Sequence, residues 1–540
     1  MKLVHGLAFD NIRGDIYGGL TAAVVALPLA LAFGVASGAG PMAGLYGTII
    51  VGFFAALLGG TPSQISGPTG PMTVVMAVIF LRYADQPGTA FTIVLMGGLL
   101  QILFGALRVG RYINLVPFPV VSGFMSGIGC IIIILQLAPL IGQSHPGANV
   151  VQSLSALPGD IAAINWQAAL IACVTLGIVY FTPRSIQRLV PTPLIALVIG
   201  TLVVWLFLAG VPTLGEIPTG LPELQLPSLD WLTLTDMVGS ALVLALLGSI
   251  DSLLTSLVAD SVTRTHHNSN RELIGQGIGN FLAGLFGVIS GAGATMRTVA
   301  NVRAGGRTPI SGMVHSLVLL AVVLGAGPIA GHIPHAVLAG ILIKVGIDII
   351  DWGYLRRIVR APRAGIAIMA VVLGLTVFFD LIVAVAVGIV SASLLFVKRM
   401  SDLELENVRE TSEDRPLTPV EAEILARHAD DLLIYYISGP MNFCAAKGLT
   451  RRIAVTGEFK VLVLDLSDMT FVDTSASIAI EDVLANATEL GLDALVVGLR
   501  PRVRNTLERL GVTDSIPANY CLETRAEALS YAAELIAKRG

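Results

Sequence analysis

Ser66-Gly67-Pro68-Thr69-Gly70-Pro71-Met72-Thr73-Val74 and Ser290-Gly291-Ala292-Gly293-Ala294-Thr295-Met296-Arg297-Thr298-Val299 open alike. Each couples a Gly- or Pro-broken start to an apolar run that can only half-cross a membrane. Glycine weakens regular helix through its backbone freedom, and proline lacks the N–H and clashes with the preceding turn. Broken segments at corresponding places in two halves of a membrane chain are the sequence sign of a transporter's binding site. The pair therefore predicts a solute carrier.

Composition points the same way, because 54% of the 540 residues are hydrophobic and only 13% are charged. A soluble domain carries about 25% charge. Apolar runs recur from about Ile16 to Lys398, and at roughly 20 residues per crossing they predict about fourteen membrane segments. The run 17–38 follows a mixed-charge start and reads as the first of them. Basic residues fall in alternate loops, at Arg108 and Arg111, Arg184 and Arg188, Arg264 and Arg271, Arg303 and Arg307, then Arg356, Arg357, Arg360 and Arg363. The positive-inside rule makes those loops cytoplasmic, which predicts a multi-pass protein of the cell membrane with both termini in the cytoplasm. Cys130, Cys173, Cys444 and Cys521 have neither disulfide nor zinc spacing. No P-loop or catalytic triad is present, so energy must come from gradients, and neither ATP-driven transport nor enzymatic activity is expected.

The character changes after Lys398, which predicts a membrane domain over 1–400, a polar linker over 401–428 and a soluble domain over 429–540. Strands are expected at 432–438, 459–466 and 494–499, and helices at 475–490 and 501–510. Such alternation predicts a small α/β sandwich.

Inside the membrane an ionisable residue costs on the order of 2.5–3.5 kcal/mol at a helix centre, so each is a functional candidate. Asp251 lies in the apolar run 241–258 with Thr255 four residues on, one turn away on the same face. The two read either as oxygen ligands for a small hard cation such as Na⁺ or as a carboxylate fastening two helices through a basic partner. Asp260 is out of phase with Asp251 and reads as an interfacial or gating residue. Arg297 sits in the first turn of the second broken helix. Helix N-termini at Thr69–Gly70 and Thr295–Arg297 that converge near the midplane would hold one anion by their free N–H groups, with the guanidinium of Arg297 and the neighbouring Met296 beside it. The other reading is a packing loop with Arg297 snorkelling to the cytoplasm. Lys344 and Asp348, at i,i+4, read as a self-neutralising pair. His266 and His267 read as a solvated loop, and the glycines of 275–291 with Gly123 and Gly127 as close helix packing.

Asn11-Ile12-Arg13-Gly14-Asp15, Ala26-Leu27-Pro28-Leu29-Ala30-Leu31-Ala32-Phe33-Gly34, Ser66-Gly67-Pro68-Thr69-Gly70, Asn270-Arg271-Glu272-Leu273-Ile274-Gly275-Gln276-Gly277 and Asn301-Val302-Arg303-Ala304-Gly305-Gly306-Arg307-Thr308 together resemble the SulP anion transporters. The resemblance implies two inverted repeats of seven segments, a mobile core domain against a gate domain, a homodimer and elevator-like alternating access. Stretches 42–58, 67–75, 251–263 and 291–298 are most similar to the sodium-dependent bicarbonate members of that family. That likeness implies sodium at Asp251, Thr255, Gly293 and Thr295. Those members have glycine where Arg297 stands, and an arginine there supplies the charge that sodium otherwise brings. Leu29 after Pro28 also matches the bicarbonate members. The soluble end, through Val463-Leu464-Asp465-Leu466-Ser467 and Phe471-Val472-Asp473-Thr474-Ser475, resembles the STAS domain. Ser475 then reads either as a regulatory phosphosite or as the cap of the helix that follows.

The expected activity is cation-coupled symport of a small inorganic anion, bicarbonate first. Proton-coupled sulfate or dicarboxylate symport and uncoupled exchange or channel activity are the alternatives. Expected partners are the anion, membrane lipid, a second copy of the chain and a cytoplasmic regulator at the STAS domain. Nucleic acid, a resident metal and a cofactor other than Na⁺ as coupling ion are not expected.

Overall fold

A computed structural model describes residues 4–539 apart from 112–116, 144–148, 188–189, 209, 216–221, 223, 229–232, 361, 380, 407, 410–416 and 443–458. Cys444, Arg188, and part of the linker lie outside the described residues. The chain divides into two units, Met1–Ile389 and Val390–Gly540.

The first unit is helical. In chain order it runs α1 Ile12–Ala36, α2 Pro41–Leu58, β1 Ser66–Gly67, α3 Gly70–Arg82, α4 Pro87–Ala106 and α5 Phe118–Leu140. Then come α6 Val150–Ala162, α7 Trp166–Phe181, α8 Arg184–Gln187, α9 Thr192–Phe207, α10 Leu234–Thr263 and α11 Ser269–Leu285. After β2 Ala292–Gly293 follow α12 Thr295–Arg303, α13 Pro309–Ala330, α14 His335–Ile349, α15 Trp352–Arg357, α16 Arg363–Phe378 and α17 Leu381–Glu406, whose residues from Val390 on belong to the second unit. Among the described residues α1, α2, α4, α5 and α10 are long and apolar enough to cross a membrane, and α6 with α7 form an apolar pair bent by 115°, a broken span or a re-entrant loop. Several other helices, α9 and α16 among them, are apolar but shorter than a full crossing.

These helices pack in two groups. One joins α1, α2, α4, α10, α11, α12 and α13; the other joins α5, α6, α7, α9, α14 and α16. In the first, α11 lies so close to α4 that a Cβ on Gly277 would stand 2.7 Å from the carbonyl oxygen of Gly98. In the second, a Cβ on Gly127 would meet Thr376 at 2.7 Å. Both glycines serve the close helix packing the sequence predicts, since apolar lipid offers no water to expel and contact must come from van der Waals fit.

The second unit carries β3 Val408–Arg409, α18 Pro419–Arg427, β4 Leu432–Ile437, β5 Gly439–Met441, β6 Val461–Asp465 and β7 Met469–Val472. It continues with α19 Thr474–Glu489, β8 Asp493–Val497, α20 Pro501–Arg509, β9 Cys521–Leu522 and α21 Arg525–Arg539. Its main sheet has the order β3-β4-β6-β8-β9, parallel except for β3. Every residue of β6 is buried, as expected of a parallel strand covered on both faces. One face packs Leu462, Leu464 and Val496 against Ile480 and Val483 of α19, and the other packs Val461, Val463 and Leu495 against Ala528, Leu529 and Ala532 of α21. The structure also puts a helix where the sequence suggested a plain linker. Thr418 and Glu421 form a capping box that starts α18.

Candidate functional site

The two broken stretches meet. β1 and β2 pair antiparallel, with Ser66 opposite Gly293 and Gly67 opposite Ala292. Two or three residues beyond each strand a helix begins, α3 after Thr69 and α12 after Ala294, and neither position caps its helix with a side chain. The first-turn N–H groups of both helices are therefore left to other acceptors. The crossing is tight: the Ala294 amide donates to the Ile65 carbonyl at 2.8 Å, and the Thr298 hydroxyl accepts from the Ile65 amide at 3.0 Å. Gly67 has φ +149, a conformation L side chains rarely adopt, and a Cβ there would stand 2.8 Å from Nη1 of Arg297.

Helix α10 lies alongside and reaches both strands. The Thr69 hydroxyl donates to Oδ2 of Asp251 at 2.7 Å. The Gly293 amide donates to the Ser252 hydroxyl at 3.0 Å, and the Thr255 hydroxyl donates to the Gly293 carbonyl at 3.0 Å. Thr255 and Thr295 join hydroxyl to hydroxyl at 2.8 Å. Thus Thr255 lies within hydrogen-bond distance of both Gly293 and Thr295, a set that sequence put together only through a family resemblance. Asp251 is one turn along the same helix. Its carboxylate and these neutral oxygens are the hard donors a Na⁺ ion takes.

Arg297 is 2% exposed. It does not snorkel: Nη2 donates to the carbonyl of Pro68, while Nη1 is buried with no hydrogen-bond partner among the described residues. Asp251 and Arg297 thus hold adjacent residues, Thr69 and Pro68, and do not close on one another. Gly70 opens α3, with Ile132 of α5 against it. Met296, by contrast, is 68% exposed and does not share the burial of Arg297.

Sequence reasoning missed the frame behind this junction. Glu272 is buried, and its carboxylate accepts from the amides of Gly60 and Thr61 at 2.9 Å each and from Nε2 of Gln64 and of Gln276 at 2.8 Å each. Gln276 also donates to the Ser66 hydroxyl at 2.6 Å, and Ser256 of α10 donates to Oε1 of Gln64 at 2.9 Å. Four donors on one carboxylate stabilise its charge without a basic partner. The i,i+4 spacing of Glu272 and Gln276 was the one visible signal. His315 of α13 was also missed, with both ring nitrogens buried and unpartnered among the described residues.

Lys344 and Asp348 form the i,i+4 pair foreseen. His267 is not simply solvated: its Nδ1 lies 2.7 Å from Asp260, so Asp260 pins the loop after α10 rather than standing alone at a gate. Ser475 is exposed in the first turn of α19, but the cap is Asp473, whose side chain accepts from the Ala476 amide at 2.9 Å. The cap reading of Ser475 is thereby corrected; a carboxylate two residues earlier has taken that place. Among the described residues no group of His, Cys, Asp and Glu is arranged to hold a metal ion.

Comparison with known proteins gives the same outline. Residues 12–372 match the sulfate permease family and residues 423–528 match the STAS domain. The chain is 46% identical over 546 residues to the bicarbonate transporter BicA of a Picosynechococcus species, spanning 98% of this chain and 96% of that one. It is 47% identical over 540 residues to the BicA of a Synechocystis species, with the same shares, and 24% identical over 542 residues to the chloroplastic sulfate transporter 4.1 of Arabidopsis thaliana, spanning 94% and 78%. The solved transmembrane domain of a cyanobacterium BicA superposes with a TM-score of 0.67 at 52% identity over 71% of this chain and 100% of that one. The murine anion transporter Slc26a9 in its inward-facing state gives 0.85 at 19% identity over 98% and 92%, a likeness of fold alone.

Proposed function

Since this chain belongs to the sulfate permease family and ends in a STAS domain, we propose that it is a secondary active symporter of a small inorganic anion, bicarbonate first, in the cell membrane. The observation that carries the reading is the junction itself. Two helix starts meet through a two-residue antiparallel pairing, and a buried guanidinium with one free nitrogen stands beside them. Helix N-termini favour anions through their unpaired N–H groups and about half a unit of positive charge. A guanidinium adds a full charge and a planar donor fork. Binding there needs no covalent chemistry, and the chain is a transporter rather than an enzyme.

Asp251 is the coupling residue of this reading. With Thr255, the Gly293 carbonyl and Thr295 it offers oxygens to a cation, and its tie to Thr69 links cation occupancy to the start of α3, where the anion sits. The cation is then cargo that enters with the anion. The BicA relatives favour bicarbonate. The sulfate family match keeps sulfate as the second substrate, and Arg297 favours proton coupling or exchange for it, because the guanidinium already supplies one positive charge. The split of the helices into two packed groups supports an elevator-like movement of the first group, which carries the junction, against the second. Homodimer formation, cytoplasmic termini and a regulator at the STAS domain, with Ser475 as its phosphosite, complete the proposal.

The test is uptake by purified protein in liposomes with bicarbonate, sulfate, chloride or fumarate under a sodium gradient, a proton gradient or neither. Bicarbonate accumulation that requires sodium supports the leading reading; sulfate accumulation driven by protons supports the second. Absence of uptake of all four anions would sink both.

A further inference from the structure

A cavity of about 900 Å³ opens between the two helix groups, lined by α1, α3 and α4 on one side and α5, α14 and α16 on the other. None of the junction residues lines it. Adjoining it is a second, much smaller space of about 10 Å³. The two spaces share Val74 and Ala77 of α3, Leu342 of α14 and Gln136 of α5. The smaller one also touches Thr73, whose hydroxyl donates to the Thr69 carbonyl at 2.8 Å. Thr69 is the residue that holds Asp251. The lining thus steps from the cavity, through the smaller space that forms its throat, to Thr73, one turn of α3 from Thr69.

The throat is apolar apart from two side chains, Thr73 and Gln136. The hydroxyl of Thr73 is already committed to its own helix. Gln136 is 9% exposed, and among the described residues its amide has no hydrogen-bond partner. The amide borders both the cavity and the smaller space, so within this apolar wall it is the group placed to donate to whatever occupies them. Its position is fixed by α5 itself: Ile132, one turn earlier on the same face, packs against Gly70 at the start of α3. Gln136 thus stands about 6 Å, four residues of helix rise, beyond the first turn of α3.

We propose that Gln136 is a specificity-determining residue that hands the anion through this throat, its NH₂ group donating to an oxyanion that has shed part of its water. The inference rests on the reading of the junction as an anion site. An amide fits this task because it donates without trapping the anion as a second fixed charge would. It also rejects cations less sharply than a lysine, so an accompanying cation can follow.

Gln136→Cys, in a chain whose Cys130, Cys173, Cys444 and Cys521 are serine, should react with an anionic, membrane-impermeant thiosulfonate added to liposomes. Bicarbonate or sulfate should slow that reaction, and modification should block uptake. The same substitution at Ile128, fully buried two turns earlier on α5, should not react. Gln136→Leu, which keeps the volume and removes the donor, should lower kcat/KM for the oxyanions about 10–100-fold and shift the preference among bicarbonate, sulfate and chloride, with an unchanged melting temperature. An introduced thiol that is unreactive, or reactive but unprotected by any of the anions, overturns the proposal. So does Gln136→Leu with unchanged rates and preference. Failure of the anion-site reading is separable, because it would show as no uptake by the unaltered protein and no effect of Arg297→Ala on anion protection of the introduced thiol.

Discussion

Among the described residues each unit holds a pair of buried opposite charges, and the two are built in opposite ways. In the STAS domain Arg525 grips Glu421 with two nitrogens, Nε and Nη2, each at 2.9 Å, and lies over the ring of Tyr436 at 5.6 Å. The Thr418 amide adds a third bond to the same carboxylate at 2.8 Å. In the membrane unit Asp251 and Arg297 are equally buried yet spend their bonds on Thr69 and Pro68, and Nη1 of Arg297 is left over. The first pair closes on itself and staples α18 to α21. The second is held open. A buried charge is tolerated only when paired or bonded, so a pair of opposite charges kept apart, each bonded to a neutral group instead of to the other, marks a place where something else arrives.

The largest effect should come from breaking the closed pair. Glu421→Ala should destabilise the STAS domain by about 3–5 kcal/mol, since it strands a buried guanidinium, whereas replacing Glu421 and Arg525 together by Met and Leu should be close to neutral. Differential scanning fluorimetry of the full chain checks both, and a single change as mild as the double one would remove the contrast between the pairs. Breaking the open pair should do the reverse. Arg297→Ala should weaken anion binding about 10–100-fold, the value of a charge-assisted hydrogen bond, and leave the melting profile in place. Equilibrium binding of bicarbonate or sulfate to the purified variant reads this directly.

Smaller again is Asp251→Asn, which keeps an acceptor for Thr69. It should abolish the cation dependence of uptake while anion affinity changes less than about 10-fold, the scale of one neutral hydrogen bond. Uptake that still follows the same cation gradient would make Asp251 a structural partner like Glu421. The mildest test is acid. The hydrogen bonds from Arg525 hold the Glu421 carboxyl down at about 2 from its ordinary 4.5. A depressed carboxylate contributes stability above its unfolded value, and that stability is lost as pH falls from about 4.5 toward 2. Cleavage of the STAS domain by pepsin should therefore accelerate over that window, and less steeply in Glu421→Gln.

Much of this was legible in sequence because it depends on local pattern. The two broken stretches announced themselves by Gly and Pro, and the α/β alternation of the soluble end placed β4, β6, β8, α19 and α20 within a residue or two of where they lie. The i,i+4 pair of Lys344 and Asp348 needed only helix geometry. What stayed hidden is what a single segment does not encode. Glu272 gathers donors from residues about 210 positions away, and no periodicity points across such a distance. The capping role went to Asp473 rather than Ser475 because side chains at both places suit a cap, and only the backbone decides which one faces the first turn. Met296 and Arg297 are neighbours in sequence, but a helix turns about 100° per residue, which put one outside and the other in the core.

The sequence by itself determined that the chain fills a membrane, carries a soluble α/β end and owns a very small set of intramembrane charges, because composition and hydrophobic runs fix solvent preference residue by residue. Only the tertiary structure decided that Ser66–Gly67 pairs with Ala292–Gly293, that Asp251 and Arg297 face adjacent residues without meeting, and that the amide of Gln136 borders the small space beside Thr73. Those facts depend on which distant segments pack together, and packing is settled by the fit of whole helix faces, where a glycine in place of a side chain or a turn of helix either way changes which polar groups find each other.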